Sequence, residues 1–267
     1  MLSKNQIKYI NSLKLKKFRD EENMFVAEGT KIVTELLNSS IKVIKLYATS
    51  IFIHQLNGND QLYKLQDIDL VEVSEIELRK ISNLSTPNEV LLIAEIPKYD
   101  LDIEALYKRL TIVLDDMRDP GNLGTIIRTA HWFGIENIIC SNDSVDAFNP
   151  KVVQATMGSI ANVKVHYCDL EELFKKLKNN VESPLSIYGA LLEGDNIYEK
   201  KLMDKGFILI GNESRGISEK LLPYVTDRIT IPQISIKNSA EKAGQLSLNA
   251  SIATAIICSK FRDKEKG

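Results

Sequence analysis

Residues 111–130 decide the fold: Thr111-Ile112-Val113-Leu114-Asp115-Asp116-Met117-Arg118-Asp119-Pro120-Gly121-Asn122-Leu123-Gly124-Thr125-Ile126-Ile127-Arg128-Thr129-Ala130. The apolar run Thr111–Leu114 reads as a strand, Asp119-Pro120-Gly121-Asn122 as a turn, and the remainder as a helix. That helix begins near Asn122, which is placed to cap it. Its apolar stripe is Ile126, Ile127, Ala130 and Phe133. At about 100° per residue, Arg128 lies about 200° from Ile126 and points away from the stripe. Taken alone, Arg128 is a solvent-facing arginine.

The same grammar extends on both sides. Asn137–Cys140, Val163–His166, Ser186–Ala190, Phe207–Ile210 and Arg228–Ile231 are further strand candidates, and a helix from about Leu246 to Phe261 closes the chain. Strands rich in Val and Ile, separated by helix-length segments, imply a largely parallel sheet covered by helices. Upstream, Met24–Ala27, Val43–Ala48, Leu70–Val73 and Val90–Ile96 read as strands, with helices over Thr30 to about Asn38 and near Glu75–Ile81. Pro97-Lys98-Tyr99-Asp100 breaks the pattern. The expected architecture is α/β, with a small domain over 1–97, a linker over 98–108 and a parallel-sheet domain over 109–267.

Composition removes whole classes. With 267 residues, 44% hydrophobic and 26% charged, the chain is neither disordered nor collagen-like. Its 34 basic and 36 acidic side chains leave a net charge of −2, so any basic surface is local. The first nineteen residues hold Lys4, Lys8, Lys14, Lys16, Lys17 and Arg19 and no acid. That segment reads as a helix with Ile7, Ile10, Leu13 and Phe18 inward and its cations outward, either a solvated face or an RNA contact. Cys140, Cys168 and Cys258 are odd in number and lack C-x-x-C spacing, and His54, His131 and His166 lack metal-ligand spacing. Neither a disulfide framework nor a metal is expected, which fits a reducing cytoplasm. No signal peptide is visible, and Leu246–Cys258 is too short and polar to span a bilayer. Trp132 and Phe133 are expected to pack in the core. None of the thirteen glycines stands two residues from another, so there is no G-x-G loop for a dinucleotide or a conventional Rossmann cofactor.

Two further polar clusters follow the rule that ligands of open α/β sheets bind beyond the carboxyl ends of strands. Gly211-Asn212-Glu213-Ser214-Arg215-Gly216 directly follows Phe207–Ile210, and Gln245-Leu246-Ser247-Leu248-Asn249-Ala250-Ser251 opens the last helix. Each alone is a strand-to-helix turn or an N-cap. Neither plain reading accounts for all three clusters in one chain, in this order.

Asn122 to Ala130, Gly211 to Ser218, and Ile231-Pro232 followed by Ser247-Leu248-Asn249 together resemble the three motifs of the SpoU/TrmH family of RNA ribose 2′-O-methyltransferases, within the SPOUT superfamily. The opening segment, with Lys16-Lys17-Phe18-Arg19 and Phe25-Val26-Ala27-Glu28-Gly29, is similar to that family's small RNA-binding domain. The resemblance implies a trefoil knot in the C-terminal domain, a homodimer, and S-adenosylmethionine as methyl donor, cradled by Gly211, Ile231 and Leu248 with Asn212 and Ala190 beside them. It implies Arg128 as the catalytic arginine, acting either as base or as stabiliser of the developing alkoxide. Asn122 and Glu213 would orient Arg128 and the loops, and Ser247 and Asn249 would bind the ribose or the cofactor's carboxylate end. Lys14, Lys16, Lys17 and Arg19 are the expected RNA contacts. The extra N-terminal domain favours 23S rRNA as substrate; tRNA, or a non-catalytic RNA-binding or ribosome-assembly role on the same fold, are the alternatives. A small-molecule or protein substrate is disfavoured by the basic N-terminal segment. Two departures stand out: fourteen residues, 233–246, separate the halves of the third motif, and Ala250 replaces the family's usual valine.

Overall fold

The computed structural model describes residues 1–58, 65–178, 185–234 and 247–263. The expected long connection 233–246, with its Lys237, Lys242 and Gly244, therefore lies from residue 235 onward outside the described residues. So does the expected helix start at Leu246. The chain forms two compact units, one of residues 1–98 and 146–162, the other of 99–145 and 163–267.

The basic opening segment is two helices, α1 (Lys4–Ser12) and α2 (Lys16–Glu22). Ser3 starts α1 by accepting from the Gln6 amide, while the Gln6 side chain accepts from the Ser3 amide. Four strands follow, β1 (Met24–Glu28), β2 (Val43–Ala48), β3 (Asp69–Glu72) and β4 (Val90–Glu95), with helices α3 (Thr30–Leu37), α4 (Ser50–Gly58) and α5 (Glu75–Ile81) between them. They form one sheet in the order β1-β4-β2-β3, where β4 runs antiparallel to both its neighbours and β3 parallel to β2. Ile10, Leu13, Val26, Tyr47, Leu78, Ile81 and Leu91 pack together beneath the opening helices.

The break between α1 and α2 corrects the reading of Arg19. Its side chain is 1% exposed and paired with Asp146 at 2.6 Å, and its Nη1 also donates to the Leu13 and Lys14 carbonyls, both at 2.9 Å. With four of its five N–H donors engaged and the side chain buried, this guanidinium is out of reach of an RNA phosphate. Lys16 and Lys17 stay exposed, whereas Lys14 is half-buried and donates to the Ser82 carbonyl at 3.2 Å.

The second unit opens with α6 (Ile103–Leu106), β5 (Leu110–Leu114), α7 (Pro120–Trp132) and β6 (Asn137–Ser141). The chain then contributes α8 (Pro150–Thr156) to the first unit, where Phe148 packs on Phe25 with ring centroids 4.8 Å apart. Gly158, just after α8, has φ +96 and lies against Glu35, whose Cγ would stand 2.6 Å from a Cβ there. The second unit resumes with β7 (Lys164–Cys168), α9 (Leu170–Lys178), β8 (Ile187–Asn196), β9 (Gly206–Ile210), β10 (Asp227–Thr230) and α10 (Ala250–Phe261). Its six-stranded sheet has the order β10-β8-β9-β5-β6-β7, every pairing parallel.

β5 and β9 are buried along their whole lengths, as central strands covered on both faces must be. On α9, Leu170, Leu173, Phe174 and Leu177 fall on one helical face and are buried. Two expectations on α7 are corrected. The cap is Asp119, which accepts from the Asn122 amide at 2.7 Å with Pro120 in the first turn. Trp132 is 85% exposed and Phe133 only half-buried, because Trp132 lies about 200° round the helix from the buried Ala130. Cys140 and Cys258 are buried free thiols, and burial pushes Cys258 up to about 12 and Cys140 upward too.

Candidate active site

Parallel register aligns four strands at one edge of the second unit, where β5 and β9 end. Leu114 pairs with Ile210, Leu209 with Gly189, and Gly189 with Arg228. Between Arg228 and Ile229 the pairing of β10 jumps from Gly189 to Asp195, so residues 190–194, starting at Ala190, stand out of that ladder. Asp115 and Gly211 thus leave the sheet side by side, and Ala190 follows the last residue of β8 that pairs with β9, at the edge where parallel sheets receive ligands.

Asn122 is the centre of what gathers there. It is 8% exposed, and its Nδ2 donates to Glu213 Oε1 at 2.8 Å while its Oδ1 accepts from Asn249 Nδ2 at 2.9 Å. An amide suits this position because one end donates and the other accepts. Asn249 is itself fixed: its Oδ1 caps α10, accepting from the Ser251 and Ile252 amides at 3.0 and 3.2 Å and from Ser251 Oγ at 2.6 Å. Residues 91 and 127 positions from Asn122 in sequence are therefore joined through one side chain.

The segment Gly211–Ser218 folds back on itself. A Cβ on Gly211 would stand 2.2 Å from the carbonyl carbon of Gly216, so only glycine fits. The Asn212 and Gly216 backbones exchange hydrogen bonds of 3.0 and 2.8 Å, and Asn212 Oδ1 accepts from the Ser214 and Arg215 amides at 2.9 and 3.2 Å. Asn212 Nδ2 donates to the Asp116 carbonyl at 2.9 Å. The Asp116 carboxylate pairs with Arg215 and accepts from Arg118 Nε at 2.7 Å, a bond that holds the Arg118 guanidinium above its ordinary value. The Ser218 amide donates to Asp115 Oδ2 at 2.7 Å.

Arg128 stands apart from this array. It is exposed, six residues and about 9 Å along α7 from Asn122, with no hydrogen bond or ion pair among the described residues. Ser247 is exposed and has no hydrogen bond among them either, Leu248 is 51% exposed, and Ile231 is half-buried. Asp115, Asp116 and Arg215 stand inside the quoted motif stretches, where the sequence assigns them no role. Two acids after an apolar strand carry no mark of what they hold, and the left-handed backbone of Asp116, φ +56, is a property of the folded loop. Among the described residues no three His, Cys, Asp or Glu side chains cluster as metal ligands, and no helix is long and apolar enough to cross a membrane.

Residues 109–259 match the SpoU rRNA Methylase family, and residues 4–92 match the MRM3-like substrate binding domain. Over 264 residues, 97% of each protein, the chain is 29% identical to the 23S rRNA (guanosine(2553)-2'-O)-methyltransferase RlmP of Bacillus subtilis. It superposes on a TrmH-family structure from Porphyromonas gingivalis with a TM-score of 0.83 and 35% identity, covering 98% of both chains. An AdoMet-bound rRNA methyltransferase from Sinorhizobium meliloti matches at a TM-score of 0.80 and 29% identity, over 98% of this chain and 95% of that one. The chain belongs to the SpoU rRNA methylase family.

Proposed function

We propose that this protein transfers a methyl group from S-adenosylmethionine to a ribose 2′-hydroxyl of RNA, with 23S rRNA as the substrate in preference to tRNA. The observation that carries this reading is the Asn249–Asn122–Glu213 array at the sheet edge, with an exposed arginine, Arg128, on the same helix as its centre. The full-length similarity to RlmP, named for 23S rRNA, supports the substrate class, and the AdoMet-bound relative supports the methyl donor.

The residues present fit that donor. Gly211 and Asn212 offer backbone groups at the end of β9 and Ala190 beside them just past the β8–β9 pairing, Gly211 tolerates no side chain, and Ser218 Oγ is buried with no partner among the described residues. Ile231 and Leu248 would supply its apolar walls. S-adenosylmethionine, when bound, supplies an electrophilic methyl group. The chain's task is to align the 2′-oxygen, whose proton passes to solvent as the methyl is transferred, and to stabilise the charge it develops. Arg128 takes the second role, because a guanidinium keeps its proton in nearly all protein settings. Asn249, with both ends of its amide engaged, positions Asn122. Glu213 keeps Oε2 free of bonds among the described residues to accept from the ribose, and Ser247 lies ready to hold the sugar.

The same reading makes the first unit the RNA-gripping domain, with Lys14, Lys16 and Lys17 as contacts, and places the protein in the cytoplasm. It includes a trefoil path for the second unit and a homodimer. Trp132, Leu248 and Ile252, 85%, 51% and 53% exposed, are large apolar groups left in water on or beside α7 and α10, which pack together. Trp132 is the single tryptophan, so its emission should shift to the blue as dilute protein is concentrated, and sedimentation should report two chains.

The test is transfer of labelled methyl groups to unmethylated 23S rRNA, 16S rRNA and tRNA, beside Arg128→Ala. Label entering 23S rRNA alone and lost in the variant is the expected result. Label entering tRNA alone overturns the substrate, and S-adenosylmethionine binding without transfer to RNA or precursor ribosomal particles overturns the enzyme in favour of an RNA-binding protein. Unchanged pH–rate profiles in wild type and Arg128→Lys would remove the base role for Arg128.

A further inference from the structure

The loop that carries Glu213 is held at both ends by two consecutive carboxylates that the motif reading left without a role. Toward its start, Asp116 receives Asn212 Nδ2 on its carbonyl at 2.9 Å and on Oδ2 at 3.4 Å, and pairs with Arg215. At its finish, Asp115, 4% exposed, receives the Ser218 amide at 2.7 Å. Apart from the Asn212 side chain's own bonds within the loop, the remaining side-chain tie described between the loop and the rest of the unit is the Asn122–Glu213 bond.

Neighbouring residues of a strand point to opposite faces, so two adjacent side chains ordinarily cannot serve one loop. Here the left-handed backbone of Asp116 ends that alternation, a conformation Asp adopts at lower cost than most residues. The turn is fixed in its own right: the Asp116 amide donates to Ser141 Oγ at 2.8 Å, and the Asp115 amide to the Ile210 carbonyl at 2.9 Å. The clasp is thus built into the sheet edge, with Arg118 Nε at 2.7 Å balancing the Asp116 charge from the opposite side.

We propose that Asp115 and Asp116 are positioning residues that clasp both ends of Gly211–Ser218, holding Glu213 against Asn122 and the loop backbone in the shape that receives the methyl donor. The donor half of this statement rests on the function proposed above; the clasp itself does not.

The decisive variant is Asp116→Gly in the full-length protein, since glycine adopts the left-handed backbone freely and only the carboxylate is lost. Asp116→Asn, which keeps an acceptor of the same size, is the rescue control. Amide hydrogen exchange of the unliganded protein reads the loop, calorimetry with S-adenosylmethionine reads the donor site, and KM for RNA reads everything else. In Asp116→Gly, exchange within 211–218 should rise about three- to tenfold and the dissociation constant for S-adenosylmethionine by a similar factor. Exchange elsewhere and KM for RNA should stay unchanged, and Asp116→Asn should fall between glycine and wild type. Unchanged exchange in the loop overturns the clasp. Exchange raised throughout the second unit also overturns it, in favour of a general structural role, and a loosened loop with unaltered donor affinity overturns the positioning. A wild-type protein that fails to bind S-adenosylmethionine contradicts the proposed function and leaves the exchange result to judge the clasp.

Discussion

Asn122→Asp is the substitution that most sharply probes the array. It keeps the size of the side chain and its acceptor toward Asn249, but turns the 2.8 Å hydrogen bond to Glu213 into two facing carboxylates. Two such charges relaxed to about 4 Å repel by about 4 kcal/mol at an effective dielectric near 20. Either carboxyl can escape by taking a proton, which costs an ordinary one about 3.7 kcal/mol at pH 7 and about 1.6 kcal/mol at pH 5.5. The position at the start of α7 favours a negative charge by about 0.3–1 kcal/mol. The expected loss is therefore about 3 kcal/mol at pH 7, a fall of roughly 6–12 °C in the melting temperature of the second unit, and about half that at pH 5.5. Glu213→Gln alone should cost about 1 kcal/mol, since a neutral amide oxygen still accepts from Asn122. The double variant restores a donor facing a carboxylate, now with the roles exchanged, and should return to within about 1 kcal/mol of wild type. Thermal melts of all four proteins at both pH values complete the cycle. Additive losses, or a penalty in Asn122→Asp that ignores pH, would refute the reasoning.

Other expectations follow from particular contacts. Glu77 is held down to about 2 from 4.5, first by the Ser74 amide and then by that of Leu2. The stability it contributes is complete above pH 4.5 and lost as pH falls toward 2, so Glu77→Gln should flatten the acid limb of an unfolding profile. Arg19→Ala strands Asp146 and should cost about 3–5 kcal/mol by denaturant unfolding, whereas the double replacement Arg19→Met with Asp146→Leu should cost less. Gly211→Ala forces a Cβ to within 2.2 Å of the Gly216 backbone and should weaken S-adenosylmethionine binding about tenfold or more, read by calorimetry, while circular dichroism stays unchanged.

The strands of the parallel sheet were legible because central strands buried on both faces are apolar without interruption, as in Phe207–Ile210. α5 occupies the residues expected for it, since Ser74 and Glu77 mark its start chemically. Trp132 could have been placed by the arithmetic that placed Arg128, as both lie about 200° from a buried stripe residue. Arg19 could not, because what buries it is Asp146, 127 residues away. The same distance problem hid the membership of residues 146–162 in the first unit. At the site, the sequence reading pairs Asn122 with Glu213 and Ser247 with Asn249; the structure joins Asn122, Glu213 and Asn249 by hydrogen bonds, and nothing in their spacing gives the order of those bonds. β8 runs on to Asn196, six residues past the expected end at Ala190, because the shift in β10 pairing makes room for residues 190–194.

The central claim is methylation of a ribose oxygen by this edge of the sheet, and the most direct measurement is the location of the transferred methyl. Unmethylated 23S rRNA labelled by the wild-type protein from S-adenosylmethionine should, after alkaline hydrolysis, retain the label in an alkali-stable dinucleotide, with none formed by Arg128→Ala. Label recovered instead in mononucleotides, on a base, or retained undiminished in Arg128→Ala would contradict the account.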